Sequence, residues 1–335
     1  MTMATGKPIA VIGAGPVGSI VAAHLSSIGQ EILLVECAEE RLEQLQAHGL
    51  AVTGTTQIDT QLPFLLKSVD DLASIPLTAL FICTKAWALK TLLPQLAAVV
   101  DPSTPIISFQ NGIGPEDEIA TFFPRENVSR AVVNFAGGVP PDGGPVVMQW
   151  FNAPNYIAPL DGSSTALPPI IDKLTVAGLA TELASSHEIK KKVFFKTILN
   201  SALNALCAST GITMRQAMGL PHTRNLANML IREGLSVGSA VGYYYGESSL
   251  QFCIHYLDNG GDHLPSMWKD LERGLPTEIE YMNGKIVEIG SMFKNVDVDV
   301  NIFFTSMIIT REIRSGARKP EDIPEYLTGP LASRH

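Results

Sequence analysis

The sequence predicts an α/β N-terminal domain built on a parallel sheet, followed by an all-α C-terminal domain. Three observations carry this. A short apolar run near the start ends in a glycine cluster and leads into residues at helical spacing. Strand-type runs alternate with helical segments through the first half, and beyond about Ser185 helical periodicity takes over alone. At 335 residues the chain is long enough for two domains with separate cores, here residues 1–185 and 186–335.

Pro8 to Ile12 form the first strand, which ends in Gly13-Ala14-Gly15-Pro16-Val17-Gly18 and is followed by S-I-V-A-A-H-L-S-S-I-G at helical spacing. In such a turn Gly13 permits the sharp bend, Gly15 lets a pyrophosphate approach the backbone, and Gly18 lets helix and strand pack closely. The helix N-terminus then faces the phosphates. The glycine pattern alone is weak, but Glu31 to Val35 reads as a second strand with Glu36 at its end, 18 residues past Gly18. This context makes the first domain a Rossmann-type dinucleotide-binding domain. A carboxylate at Glu36 accepts hydrogen bonds from the adenosine ribose and repels a 2′-phosphate, so NAD(H) is favoured; nearby Arg41 leaves NADP(H) as the alternative.

A helix follows over residues 39–48, then loop or short strands over 50–66. Leu77 to Cys83 reads as a buried strand delivering Thr84 and Lys85, with a helix from Ala86 to Val99. Pro105 to Phe109 repeats the pattern and delivers Gln110-Asn111-Gly112. Ligands of open α/β sheets bind beyond the carboxyl ends of the strands, so Lys85 and Asn111 are candidate site residues. An ordinary surface lysine and a turn asparagine are the plain alternatives. Runs at 128–135, 146–150 and 156–159, punctuated by G-G-V-P-P-D-G-G-P, suggest the antiparallel edge of the sheet, and Leu167 to Ala177 one more helix.

In the second domain, helices are expected over 188–208, 223–241, 266–274, 277–289 and 300–315, with a loose tail at the end of residues 320–335. The first of them carries Lys196, Asn200 and Asn204 at four-residue intervals, a single face spanning roughly 80°. Around that face lie Val193, Phe194, Phe195, Ile198, Leu199, Ala202, Leu203, Ala205 and Leu206, the composition of a helix packed on several sides. The helix pattern alone leaves open whether the stripe lines a cleft or faces water.

A net charge of −9 argues against a nucleic-acid or anionic-membrane surface, although Lys190 to Lys192 form a local basic patch, and favours a small-molecule partner. No apolar run reaches the roughly 18 residues of a membrane span, and the start carries no separate leader-type apolar region; the expectation is a cytoplasmic protein. The four cysteines are far apart and the seven histidines form no ligand-spaced cluster, so neither a disulfide framework nor a metal site is indicated.

Taken together, V-I-G-A-G-P-V-G, the C-T-K-A segment with Lys85, S-F-Q-N-G with Asn111, K-T-I-L-N-S-A-L-N, and S-M-W-K-D-L-E-R-G-L-P-T-E-I-E-Y-M-N-G resemble the ketopantoate reductase (2-dehydropantoate 2-reductase) family over nearly the whole chain. The resemblance implies Lys196 as general acid, with Glu278 the acidic residue beside it and also near the cofactor. It further implies Asn200 and Asn204 as substrate-binding amides and Ser266 as the contact to the substrate carboxylate. Asn111 would lie between cofactor and substrate, and Lys85 near the cofactor. Glu278 and Ser266 also fit helix-start chemistry. The sequence departs from the family pattern at Glu36, where many members carry a basic residue, at Pro265, at Val298-Asp299 and through Gly242 to His263.

The implied reaction is reduction of a 2-oxo acid to a 2-hydroxy acid, ketopantoate to pantoate first. A lysine ammonium can stabilise the developing alkoxide and then protonate it, a task the asparagines cannot perform. The alternative within the family is an NAD-dependent D-2-hydroxyacid dehydrogenase acting on larger branched or aromatic substrates. A non-catalytic dinucleotide-binding regulator would need the glycine turn but not Lys196, Asn200, Asn204, Ser266 and Glu278 together. The apolar helices of the second domain leave room for a homodimer.

Overall fold

The computed structural model describes residues 6–60 and 64–328. They fall into two compact units: the chain up to Gln110 with Gly114–Lys190, and Asn111–Ile113 with the chain from Lys191 onward.

The first unit runs β1 (Ile9–Ile12), α1 (Pro16–Ser27), β2 (Ile32–Val35), α2 (Glu39–His48), β3 (Leu50–Gly54), β4 (Ile58–Thr60), β5 (Phe64–Leu66), β6 (Ala79–Ile82), α3 (Leu89–Val99), β7 (Ile106–Ser108) and α4 (Pro115–Ile119). It continues through β8 (Val128–Val132), β9 (Phe135–Gly138), β10 (Val146–Phe151), β11 (Asn155–Pro159), α5 (Leu167–Val176) and β12 (Thr181–Leu183). The eight-stranded sheet has the order β12-β11-β8-β7-β6-β1-β2-β5. Every neighbouring pair is parallel except β8 with β11. Its central strands are apolar throughout because both faces are covered. Ile9 and Val11 enter one core with α1 and α5, while Ala10 and Ile12 enter the other with α3.

The expected antiparallel edge divides. β8 and β11 do pair antiparallel in the main sheet, but β9 and β10 join β3 and β4 in a second sheet of order β4-β3-β10-β9. The burial patterns give the reason: Val146 to Gln149 alternate buried and exposed, as suits a one-faced sheet, whereas all of Val128–Val132 is buried. The short strands in residues 50–66 are thus β3 and β4 of the small sheet and β5 at the edge of the large one. Packing of α1 against β3, β4, β9 and β10 as well as β1 and β2 leaves it no polar face, and every residue from Gly18 to Leu25 is buried. A 3₁₀ turn, Ala86–Ala88, precedes α3 where one continuous helix was expected.

The second unit begins within α6 (Ser186–Thr210) and continues with α7 (Met214–Gly219), α8 (Pro221–Ala240), α9 (Ser249–Asp258), α10 (Ser266–Glu272), α11 (Asn283–Gly290), α12 (Asp299–Ser315) and α13 (Glu325–Thr328). The short α7 and the α9 within the divergent 242–263 segment were not expected. From Val193 to Ala208 no residue of α6 is exposed. The helix expected over 277–289 is interrupted: a 3₁₀ turn covers Ile279–Tyr281 and α11 starts only at Asn283. The cause is a long-range contact: the Tyr281 carbonyl accepts from the Ile113 N–H at 2.8 Å, and Met282 leaves helical geometry at φ −113°, ψ −101°. Residues 320–328 form a 3₁₀ turn and α13; the end of the 320–335 segment, expected as a loose tail, lies outside the described residues.

A buried histidine joins α1 to α5. His24 Nδ1 lies 2.6 Å from the Ala177 carbonyl, so Nδ1 carries the proton and donates, and burial pushes the imidazole pKa below its ordinary value despite that bond. The unfolded chain therefore takes up a proton near pH 6.5 that the native state refuses. His24 contributes its full stabilisation above that pH and loses it progressively as pH falls further. The midpoint of urea unfolding should drop between pH 7 and pH 5, and a His24→Gln variant should show a smaller drop over the same interval.

Candidate active site

At the end of β1 the chain turns through Gly13 at φ +97°, and the Val35 carbonyl accepts its N–H at 2.8 Å. A Cβ on Gly18 would sit 2.0 Å from the Gly13 carbonyl oxygen, so only glycine lets α1 approach β1 this closely. Where a Cβ on Gly15 would point, no atom lies within 4 Å, and the α1 N-terminus has no side-chain cap. Open space in front of uncapped amides fits a pyrophosphate.

Glu36 closes one side of this turn. Its Oε2 accepts from Ala14 N–H at 2.9 Å, and its Oε1 from Cys37 N–H at 2.9 Å and Ala38 N–H at 2.8 Å. Arg41, from the first turns of α2, grips the other side. Nε donates to the Ala14 carbonyl at 3.1 Å, Nη2 to Ser19 Oγ at 3.3 Å and Nη1 to Gln44 Oε1 at 3.3 Å. Burial lowers the Arg41 pKa, with Glu36 working in the opposite direction.

Beyond β6, half-buried Lys85 opens the 3₁₀ turn. Its carbonyl accepts from Gln110 Nε2 at 3.4 Å, and Thr84 Oγ1 accepts from the same nitrogen at 3.3 Å. Ser108 donates to Gln110, and Arg130 on β8 reaches both Ser108 and Glu116, the latter at 2.7 Å with both charged side chains almost fully buried. This chain of polar contacts fixes the carboxyl ends of β6 and β7 to one another. The signal for it was the lone arginine in the apolar run V-S-R-A-V-V.

In the helical unit, Lys196 and Asn200 are half-buried and Asn204 is buried, so the stripe is not a solvated helix face. Asn204 Nδ2 lies 3.5 Å from Met282 Sδ. Asn111 belongs to the same unit and enters with Gly112, at φ +85°, where a Cβ would lie 2.5 Å from the Tyr281 carbonyl oxygen. Asn204 and the Asn111 segment therefore both meet the turn that starts at Glu278. Glu278 is buried and does not cap the 3₁₀ turn it precedes. Exposed Ser266 is the first residue of α10, with Pro265 in the cap position; among the described residues no hydrogen bond ties it to the Glu278 turn. The turn has an anchor the sequence reading missed, in which Glu312 accepts from Thr277 N–H and Arg318 bridges Glu312 to Glu280. Its signal was a glutamate four residues after Ile308 and eight after Phe304, on the apolar side of α12.

A parallel sheet with an uncapped glycine turn and an acidic residue closing the second strand, followed by a helical unit with a half-buried lysine, fits a dinucleotide-dependent oxidoreductase. Two family models, ketopantoate reductase PanE/ApbA and its C-terminal counterpart, match residues 9–158 and 188–312. The chain belongs to the ketopantoate reductase family. A 2-dehydropantoate 2-reductase of Archaeoglobus fulgidus is 28% identical over 309 residues, covering 92% of this chain and 98% of that protein. Among solved structures, a PanE/ApbA family ketopantoate reductase from Ralstonia eutropha JMP134 superposes with a TM-score of 0.81 at 21% identity, over 92% of this chain and 99% of the other. A D-mandelate dehydrogenase in complex with NADH gives a TM-score of 0.77 at 25% identity, again over 92% and 99%. Among the described residues, no helix is long and apolar enough to cross a membrane and no cluster of ligand-type side chains could hold a metal ion.

The two helix-proximal glycines should separate folding from binding. Gly15→Ala, whose methyl meets only open space, should leave the melting temperature unchanged and weaken NADH binding at least tenfold by calorimetric titration. Gly18→Ala, whose methyl collides with backbone, should lower both.

Proposed function

We propose that the chain reduces a 2-oxo acid to the corresponding 2-hydroxy acid, ketopantoate to pantoate being the favoured pair, with NADH as reductant and Lys196 as general acid. The observation that carries this reading is the stripe Lys196, Asn200, Asn204 on a helix with no exposed residue over sixteen positions, from Val193 to Ala208. Withdrawing these polar side chains even partly from water costs free energy unless polar partners or a ligand meet them. Nicotinamide, when bound, supplies a hydride to the carbonyl carbon. Lys196 stabilises the oxygen as it becomes an alkoxide and gives up one proton to it, completing the 2-hydroxy acid. Glu278 is the acidic partner of Lys196, Asn200, Asn204 and Ser266 hold the acid, and Asn111 lies against both substrate and nicotinamide.

On the dinucleotide side the reading uses Gly13, Ala14, Gly15, Pro16, Val17 and Gly18 for the pyrophosphate, Glu36 for the adenosine ribose, and Lys85, Asn111 and Glu278 toward the nicotinamide half. NADH is supported over NADPH by Glu36, whose carboxylate three backbone N–H groups hold at the turn, where it repels a 2′-phosphate. Arg41 spends three of its five N–H groups within the protein. Residues 1–185 then act as the dinucleotide-binding domain and 186–335 as the substrate domain of a cytoplasmic enzyme. A homodimer is supported by Phe303 and Met307, exposed one turn apart on α12.

A second reading, a D-2-hydroxyacid dehydrogenase for larger branched or aromatic substrates, draws on a specific observation. Phe195, next to Lys196, packs against Tyr245 and Phe252 at centroid distances of 4.8 and 5.8 Å, and Phe252 against Tyr256, an aromatic group from the divergent 242–263 segment.

Oxidation of NADH and NADPH, each followed with ketopantoate, 2-oxoisovalerate, phenylpyruvate and pyruvate, separates the readings. Fastest turnover of ketopantoate is expected; fastest turnover of phenylpyruvate establishes the second reading, and no turnover of any 2-oxo acid overturns both. Lys196→Ala should lose at least a hundredfold in kcat, within the range of general acid catalysis, while NADH binding is retained; an unchanged kcat removes the assignment. Glu36→Ala should narrow the ratio of kcat/KM for NADH over NADPH at least tenfold, and a wild-type ratio near one contradicts the cofactor assignment outright.

A further inference from the structure

Three hydrogen bonds in the helical unit bracket Glu278 in sequence. On one side, Thr277 N–H donates to Glu312 Oε1 at 2.7 Å. On the other, Glu280 Oε2 accepts from Arg318 Nη2 at 2.7 Å, and Arg318 Nε donates to Glu312 Oε2 at 2.6 Å. One guanidinium thus joins the two ends of the segment that carries Glu278. Glu312 has no exposed surface and the Arg318 side chain retains 9%.

Arg318 reaches this position through the end of α12. Gly316 turns the chain at φ +81°, and Ala317 and Arg318 return their N–H groups to the Glu312 carbonyl at 2.9 and 3.3 Å. Arg318 Nη1 then donates to the Asp322 carbonyl at 3.0 Å, holding the following turn. Farther on, Tyr326 packs so tightly on α11 that a Cβ at Gly284 would stand 2.4 Å from its hydroxyl. Residues 316–328 therefore form a strap across the segment from Thr277 to Gly284.

A buried carboxylate and guanidinium are a poor means of adding stability, because desolvation consumes much of their attraction and apolar side chains of the same volume do as well or better. What the pair supplies is direction: a planar fork that fixes two carboxylates at set angles, which an apolar contact cannot do. We infer that Arg318, acting through Glu312 and Glu280, is a positioning residue that holds Glu278 in its working place and makes the 316–328 strap part of the catalytic geometry. The inference rests on the reading of Glu278 as the partner of Lys196.

The test uses the full-length enzyme with four variants: Glu278→Gln, Arg318→Ala, Glu280→Ala, and Arg318→Ala combined with Glu278→Gln. Arg318→Ala should lower kcat at least tenfold with the KM for NADH within twofold, and Glu280→Ala should lower kcat in the same direction by a smaller factor. The combined variant should be no slower than Glu278→Gln alone, because a residue that works through Glu278 has nothing left to position. If Arg318→Ala and Glu280→Ala both keep kcat within twofold, or if the combined variant loses the product of the two separate effects, Arg318 is structural support only and the inference falls while the Glu278 reading stands. If Glu278→Gln itself keeps full kcat, the reading of Glu278 fails and takes the inference with it. Should Arg318→Ala not fold, Glu280→Ala, alone and combined with Glu278→Gln, decides by the same criteria, since Glu280 is partly exposed and its loss leaves the Arg318–Glu312 pair in place.

Discussion

Desolvation of polar groups on α6 is the constraint to which the helical unit answers. From Val193 to Ala208 the helix offers solvent no exposed side chain, yet it carries Lys196, Thr197, Asn200, Ser201 and Asn204. Thr197 returns its hydroxyl to the Val193 carbonyl of the same helix, while Asn283 donates to the Ser201 backbone carbonyl and to Asn301. Glu233 then accepts from the Asn301 backbone and side chain and from Val300 N–H, tying α8 to the start of α12. A buried polar network on α8, α11 and α12 thus ties the surrounding helices to the α6 backbone.

The first unit solves a similar problem at the carboxyl ends of its strands. The Arg130–Glu116 pair and Gln110 leave the loops after β6 and β7 few ways to rearrange.

Much of this was legible in the sequence because it depends on local rules. The glycine turn, the acidic end of β2 and the four-residue spacing on α6 each follow from chain geometry within a few residues, and the two-unit α/β then all-α order follows from where strand runs stop. The small sheet was not legible, since pairing residues 52–54 with 146–148 is a long-range choice that alternation alone does not specify. The break at Met282 was hidden for a related reason: Thr277 to Ile289 has helical composition, and only the distant Gly112-Ile113 segment withdraws the Tyr281 carbonyl from it. Arg41 was visible as a charge, but its grip on Ala14 and Ser19 depends on how α2 lies over the turn. The Glu312–Arg318 bridge needs a left-handed residue after α12 to bring its partners together, which periodicity does not report.

The small sheet also bears on the order in which the protein can be assembled. Helix α1 is buried from Gly18 to Leu25, and the strands that cover its outer face come from two stretches of chain nearly a hundred residues apart, β3 and β4 on one hand and β9 and β10 on the other. During synthesis at about 5–20 residues per second, the second pair leaves the ribosome on the order of ten seconds after α1 itself. Through that interval the glycine turn and its helix exist as sequence but lack half of their cover. The nascent first unit is thus an exposed apolar hairpin of strand and helix that waits on β10, and substitutions in residues 146–151 should act on yield of folded protein before they act on anything the finished enzyme does.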